Sequence, residues 1–242
     1  MDGIAIYNLT KKYKDVTAVD GLDLQVKKGE LISLLGVNGA GKTTTVKMLS
    51  CLTRPTSGDA QLMGKSIVKE PGAVKAIIGV APQETAVAPG LSVRENLALL
   101  CGVHGFDRQK KEEKIRELSE KMGLASVMEK KAGKLSGGWQ RRLSIAMALI
   151  GEPKILFLDE PTLGLDVLAR SQLWDTIRTL KGKVTIVLTT HYMEEAEALS
   201  DRVAILKAGR LLVFDTPAKI KESANADRFE EAFIRLNREG DQ

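Results

Sequence analysis

The chain has 242 residues, 43% of them hydrophobic, enough to bury a core as one large domain or two smaller ones. Its net charge of +5 is spread along the chain, which favours a solvated basic face over a nucleic-acid surface. Cys51 and Cys101 stand far apart, with no metal-ligand spacing and among apolar helical residues, which argues for buried free thiols and against a zinc site or a disulfide. Met1–Asp15 lacks the apolar core of a signal peptide, and no apolar run approaches the ~18 residues of a membrane span. The expectation is a soluble, intracellular protein that reaches any membrane through a partner.

In chain order, Ile4–Asn8 reads as a strand, and Leu22, Leu24 and Val26 alternate with polar residues in a second. Lys27-Lys28-Gly29-Glu30 turns the chain into Leu31–Leu35, an apolar run of the buried-strand kind. Gly36-Val37-Asn38-Gly39-Ala40-Gly41-Lys42-Thr43 then fits G-x-x-x-x-G-K-[ST], and Lys42–Leu52 is helical in composition. Strand, glycine loop and helix are the context that a phosphate-binding loop requires. The glycines let successive N–H groups face one anion, and a helix N-terminus adds partial positive charge at the same point. Lys42 is expected to reach the β- and γ-phosphates, and the Thr43 hydroxyl to ligate Mg²⁺.

Arg54–Gly58 is a turn, Ala60–Met63 a short strand and Ile77–Ala81 a buried one. Ser92-x-x-Glu95 is a capping box whose helix stops near Gly102. A second helix, Asp107–Met122, carries Ile115, Leu118 and Met122 on one face and stops at Gly123. Beyond Gly138 the chain alternates: helix 139–150, strand 154–159, helix 167–181, strand 184–190, helix 193–200, strand 203–207. That rhythm argues for a mostly parallel sheet. Ala208-Gly209 is a hairpin turn into Arg210–Phe214, and Thr216-Pro217 starts a short helix. Phe229, Phe233 and Leu236 form a stripe that packs on its own domain. Trp174 is expected in the core beside Leu173 and Ile177, and His104 at the surface or a helix end.

Ile155–Leu158 is an apolar strand ending in Asp159 and Glu160. Asp159 has the context of an aspartate that holds Mg²⁺, and Glu160 is placed to orient or deprotonate an attacking water. Leu135-Ser136-Gly137-Gly138 is a second glycine-rich loop opening a helix; taken alone, a second anion site and a plain Ser/Gly cap are equally good readings. One nucleotide does not need two such sites from one chain. Two chains, each supplying one half, would use both.

These motifs, in this order, resemble the ATP-binding cassette of the ABC ATPase superfamily over residues 3 to about 220, and Leu135–Gln140 is similar to that family's signature loop. The resemblance implies an α/β fold: a P-loop NTPase (RecA-like) core with a mostly parallel sheet, an N-terminal antiparallel β subdomain and an inserted α-helical subdomain. The cassette would span residues 1–223, with the helical insertion at about 85–151 and a helical tail at 224–242. ATP would contact Tyr13, which stacks on adenine, and Gly36, Asn38, Gly39, Ala40, Gly41, Lys42, Thr43 and Thr44. Thr43, Gln83 and Asp159 would hold Mg²⁺. Glu160, His191, Gln83 and Lys42 would carry catalysis, His191 as the switch residue at the γ-phosphate. Ser136, Gly137, Gly138 and Asp166 would face the ATP of a second cassette. Trp139 departs from the glutamine often found at its position, and Val37 replaces a common proline at a variable one.

The resemblance further implies a head-to-tail dimer, with itself or with a homologous cassette, closed on two ATP molecules. It implies a membrane permease gripped by the helical insertion, and a place on the inner face of the cell membrane. Thr189–Glu197 and Phe229–Phe233 are similar to subunits paired with ABC-2-type export permeases. Importer cassettes often add a regulatory domain, for which the tail leaves no room. A soluble ABC ATPase acting on nucleic acid or ribosomes is the alternative. The compact gap between the two glycine loops shows no sustained heptads and disfavours it, and no nucleic-acid partner is expected. A P-loop GTPase would need Asn-Lys-x-Asp, which is absent, and a kinase would leave Leu135–Gln140 unexplained.

Overall fold

Extended N-terminal segments, short apolar strands and capped helices follow one another in the computed structural model, which describes residues 2–239. The chain begins with β1 (Asp2–Tyr13), β2 (Val16–Lys27), β3 (Leu31–Leu35), α1 (Lys42–Leu49), β4 (Ser57–Leu62), β5 (Lys65–Ser66) and α2 (Pro71–Lys75). Next come β6 (Ile78–Ala81), α3 (Val93–Val103), α4 (Arg108–Lys121), 3₁₀ turns at Ala125–Val127 and Ala132–Lys134, α5 (Gly137–Leu149), β7 (Ile155–Asp159) and α6 (Val167–Arg178). The last elements are β8 (Thr185–Thr190), α7 (Met193–Leu199), β9 (Arg202–Lys207), β10 (Arg210–Asp215), α8 (Pro217–Ser223) and α9 (Phe229–Glu239). Met1 and 240–242, the end of the expected tail, lie outside the described residues.

The chain divides into two compact units, Ala76–Leu180 and the segments on either side of it. In the first unit, the outer segments, an antiparallel sheet runs β2-β1-β4-β5. Beside it β3 pairs in parallel with both β8 and β9, and β10 folds back antiparallel on β9. Ala208 and Gly209, both at positive φ (48° and 82°), make the hairpin turn expected there. Thr216 caps α8 through the Lys219 N–H, with Pro217 at the helix start. Phe229 and Ala232 of α9 are buried on Leu35, Ala196, Val203, Ile205 and Ile220, with Phe233 and Leu236 half-buried around them. The tail stripe thus packs on its own unit.

The second unit carries the parallel pair β6–β7 and the helices α3, α4, α5 and α6. The Ser92–Glu95 capping box forms as expected, and Asp107 caps α4. Lys114 of α4 is buried and bonds Glu117 and Glu152 at 2.6 and 2.7 Å, tying α4 to the loop before β7. Burial alone would lower the Lys114 pKa, but the hydrogen bonds of both carboxylates outweigh it and raise it. The Lys114 hydrogen bond and charge hold Glu152 below the usual carboxylate range.

Four local expectations change. The first helix ends at Leu49, not Leu52: Cys51 takes a left-handed φ of 57°, its N–H bonding the Met48 carbonyl while Leu52 bonds that of Lys47. Cys51 is therefore half-buried in a turn, whereas Cys101 is buried as expected; both are free. Trp174 is half-buried, with the Arg170 guanidinium 5.5 Å from its ring centre, so it edges the core. The strand expected over Ile4–Asn8 extends to twelve residues because β2 and β4 both pair along it.

Candidate nucleotide site

In the first unit Leu35 is paired with Thr190, so the residues that follow, Gly36 and His191, leave the sheet from one edge. Ligands of open parallel sheets bind outside this carboxyl edge. The loop after β3 is packed from behind. A Cβ on Gly36 would lie 2.5 Å from the Leu206 carbonyl oxygen, and one on Gly41 2.5 Å from that of Ala18. Gly41 also sits at φ 99°, a conformation that side chains disfavour. Gly209 donates to the Ala40 carbonyl at 3.2 Å, so the β9–β10 hairpin braces the loop. Lys42 is buried, and its ammonium donates to the carbonyls of Gly36 (2.7 Å) and Val37 (3.3 Å). Asn38 and Gly39 form the exposed rim, Ala40 is buried, and Thr43 and Thr44 are half-buried at the start of α1. Tyr13 ends β1 with an exposed ring, 4.9 Å from the Lys11 ammonium. His191 is half-buried, its ring centre 4.1 Å from that of Tyr192.

In the second unit Ala81 is paired with Leu158, which brings Pro82-Gln83 and Asp159-Glu160 out at one end of β6–β7. Gln83 is exposed, whereas Asp159 and Glu160 are buried. Glu160 holds φ 50°, a strained conformation of the kind that clusters at active sites. Asp166 is exposed and caps α6 through the Ala169 N–H at 2.9 Å. Beside it Val167 and Leu168 are 69% and 76% exposed. Ser136 stands exposed at the N-cap of α5, its side chain making no capping bond. Gly137 and Gly138 pass close to Leu165 and Ala169, joining the two exposed loops into one surface. Trp139 is half-buried, with the Arg142 guanidinium 5.0 Å from its ring centre, and the helix start is intact. His104 caps the C-terminus of α3, exposed and beside Phe106, a helix end as expected.

Two residues here escaped the reading of the sequence. Buried Arg141 donates to the carbonyls of Pro82 and Gln83, and fully buried Asn96 bonds both the N–H and the carbonyl of Ala88. The available signal was a charge at a core-facing position: Arg141 shares the buried face of α5 with Ser144, Ile145 and Leu149. A pocket of about 290 Å³ lies among Gly79, Val80, Ala86, Leu100, His104 and Met147. A larger one of about 870 Å³, edged by charged residues such as Arg94, Glu112, Arg116 and Glu129, contains none of the motif residues.

The family model for ABC transporters matches residues 19–163. A daunorubicin resistance ATP-binding protein of Streptomyces coeruleorubidus is 41% identical over 94% of this chain and 72% of its own length. A Nod factor export ATP-binding protein of Burkholderia orbicola (strain AU 1054) is 42% identical over 89% of this chain and 71% of its own. Among solved structures, a dimeric post-hydrolysis ATP-binding cassette bound to ADP and phosphate superposes with a TM-score of 0.79, at 26% identity, over 88% of this chain and 98% of that one. No helix among the described residues is long and apolar enough to cross a membrane. The chain thus belongs to the ABC transporter family, as an ATP-binding and ATP-hydrolysing cassette with a P-loop NTPase fold.

Proposed function

We propose that this cassette drives an exporter: two cassettes, identical or homologous, close head-to-tail on two ATP molecules and power a separate permease of the ABC-2 type. The observation that carries this reading is the exposed, uncapped Ser136 with Gly137 and Gly138 at the start of α5, in a chain that already has a complete phosphate loop. A second anion site is idle in one chain and useful in two. The γ-phosphate then makes the bridge, and its loss on hydrolysis opens the dimer, which is the differential contact a switch requires. Exposed Asp166, Val167 and Leu168 supply the rest of the interface.

On this reading the loop 36–41 and Lys42 bind the phosphates, Tyr13 stacks on the base, Glu160 orients and deprotonates water, and His191 contacts the γ-phosphate. Thr43, Gln83 and Asp159 offer a hydroxyl, an amide and a carboxylate, an oxygen set that suits Mg²⁺, which takes one or two carboxylates together with substrate phosphates. Bound there, Mg²⁺ would offset the charge developing on the phosphates.

The pocket beside α3, with Leu99 and Val103 exposed next to it, suits an apolar segment of the permease. That contact would hold the cassette on the inner face of the cell membrane. The cassette is taken as residues 1–223 with its helical insertion at about 85–151 and the tail beyond. The two relatives are named for drug resistance and for Nod factor export, which supports export over action on nucleic acid or ribosomes.

The test is Glu160→Gln. Calorimetry should show ATP binding retained, size-exclusion chromatography should show a dimer that forms only with ATP, and hydrolysis should fall by about 10²–10⁴-fold. A variant that stays monomeric with ATP while hydrolysing normally would sink the composite site.

A further inference from the structure

Arg141 joins two loops that the proposed reaction uses at different ATP molecules. It lies in α5, whose first turn is the signature loop, and it is buried. Its two terminal nitrogens each donate at 2.7 Å, one to the Pro82 carbonyl and one to that of Gln83. A guanidinium is a planar fork and fixes both carbonyls at once, which a lysine, as a point charge, would not do. Burying such a charge is costly unless its partners are well placed, so the pairing specifies one arrangement of the loop.

The same helix is locked to the strand that precedes the loop. A Cβ on Gly79 of β6 would lie 2.2 Å from the Ala148 carbonyl oxygen of α5, so backbone meets backbone there. The far end of the loop is held separately. Asn96 accepts from the Ala88 N–H at 2.8 Å and donates to the carbonyls of Ala88, Leu91 and Ser92. Gln83 is therefore tied to α5, while the chain returns to α3 at Ala88 under a different anchor, and residues 84–87 span the two.

We propose that Arg141 is a positioning residue that relays between the two ATP sites. The relay rests on the two-chain site proposed above, in which Ser136 and Gln83 of one chain serve different nucleotides. Engagement of Ser136 displaces α5, and the Arg141 fork carries Gln83 with it. The state of the nucleotide at Ser136 thereby sets where Gln83 stands at the other site, and so how fast that site turns over rather than how tightly it binds ATP, a coupling in kcat that need not be symmetric.

The experiment compares Arg141→Met and Arg141→Lys, each alone and combined with Glu160→Gln. It measures ATP affinity by calorimetry, steady-state hydrolysis, and amide exchange of residues 83–88 by mass spectrometry, with and without ATP. Arg141→Met should leave ATP affinity within about twofold and lower kcat at least about fivefold with little change in KM, the scale of an allosteric coupling. It should speed exchange at 83–88, and in the Glu160→Gln background abolish the protection that ATP confers there although the dimer still forms. Arg141→Lys, keeping the charge without the planar fork, should fall between. Unaltered exchange and kcat in Arg141→Met would overturn the proposal, as would equal losses of kcat and ATP affinity, which mark a merely structural role. If the Glu160→Gln chain stays monomeric with ATP, the two-chain reading falls and the relay with it; exchange in the nucleotide-free chain then still separates that failure from failure of the Arg141 clamp.

Discussion

The phosphate loop of the first unit and the signature loop of the second are both glycine turns into a helix, but they are finished to different degrees. Behind the phosphate loop stand the Ala18 and Leu206 carbonyls and the β9–β10 hairpin, and Lys42 is buried with its ammonium already bonded to the Gly36 carbonyl. The signature loop presents an exposed Ser136 whose side chain makes no capping bond, together with an exposed Asp166, Val167 and Leu168. A loop braced on its own chain is shaped to bind ligand by itself. On the proposed reading, a loop whose polar and apolar residues are exposed is completed by a second chain.

The comparison breaks most visibly at Lys42. Lys42→Ala should weaken ATP binding about 10- to 150-fold, since a hydrogen bond to a charged group contributes about 1.5–3 kcal/mol. Unchanged affinity by calorimetry would mean that the braced loop is not the phosphate site. On the other side, Val167→Asp with Leu168→Asp should leave single-chain ATP affinity intact and abolish the ATP-dependent dimer of the Glu160→Gln chain, by desolvating two charges in the interface. A dimer that persists by size-exclusion chromatography would remove this surface from the interface.

The smallest effect concerns the second unit alone. Because Glu152 is held below the usual carboxylate range by Lys114, its contribution is fully present above the ordinary carboxylate pKa and is lost as pH falls through the lowered value. With Glu152 largely exposed, Lys114→Met should cost about 0.5–1 kcal/mol near neutral pH, the scale of a partly solvated pair, and progressively less on acidification. Urea unfolding of both proteins at neutral and acid pH measures this. A loss that does not shrink in acid would assign the role of Lys114 to packing of its stem.

Local chemistry made much of this legible in advance. The Ser92–Glu95 box, the Thr216-Pro217 helix start, the Ala208-Gly209 hairpin and the strand, glycine loop and helix start from Leu31 to Lys42 each rest on contacts within a few residues, and each forms as read. The end of α1 was misplaced because a cysteine rarely takes the left-handed position that usually falls to glycine. Trp174 was misplaced because helical spacing identifies a face, not how far that face extends under cover.

By itself the sequence determined the glycine loop between β3 and α1, the carboxylates at and just after the end of β7, the glycine turn that opens α5 and the order in which they occur. These are patterns of short range, in which a glycine, a cap or an apolar run states its own conformation. Only the tertiary structure decided what stands behind and between them: the Ala18 and Leu206 carbonyls against the loop glycines, the Asn96 anchor on Ala88, and the Arg141 fork on Pro82 and Gln83. Those contacts join residues far apart in the chain, and backbone carbonyls are the same for every amino acid. No residue type announces which one a distant guanidinium will find, so packing alone selects it.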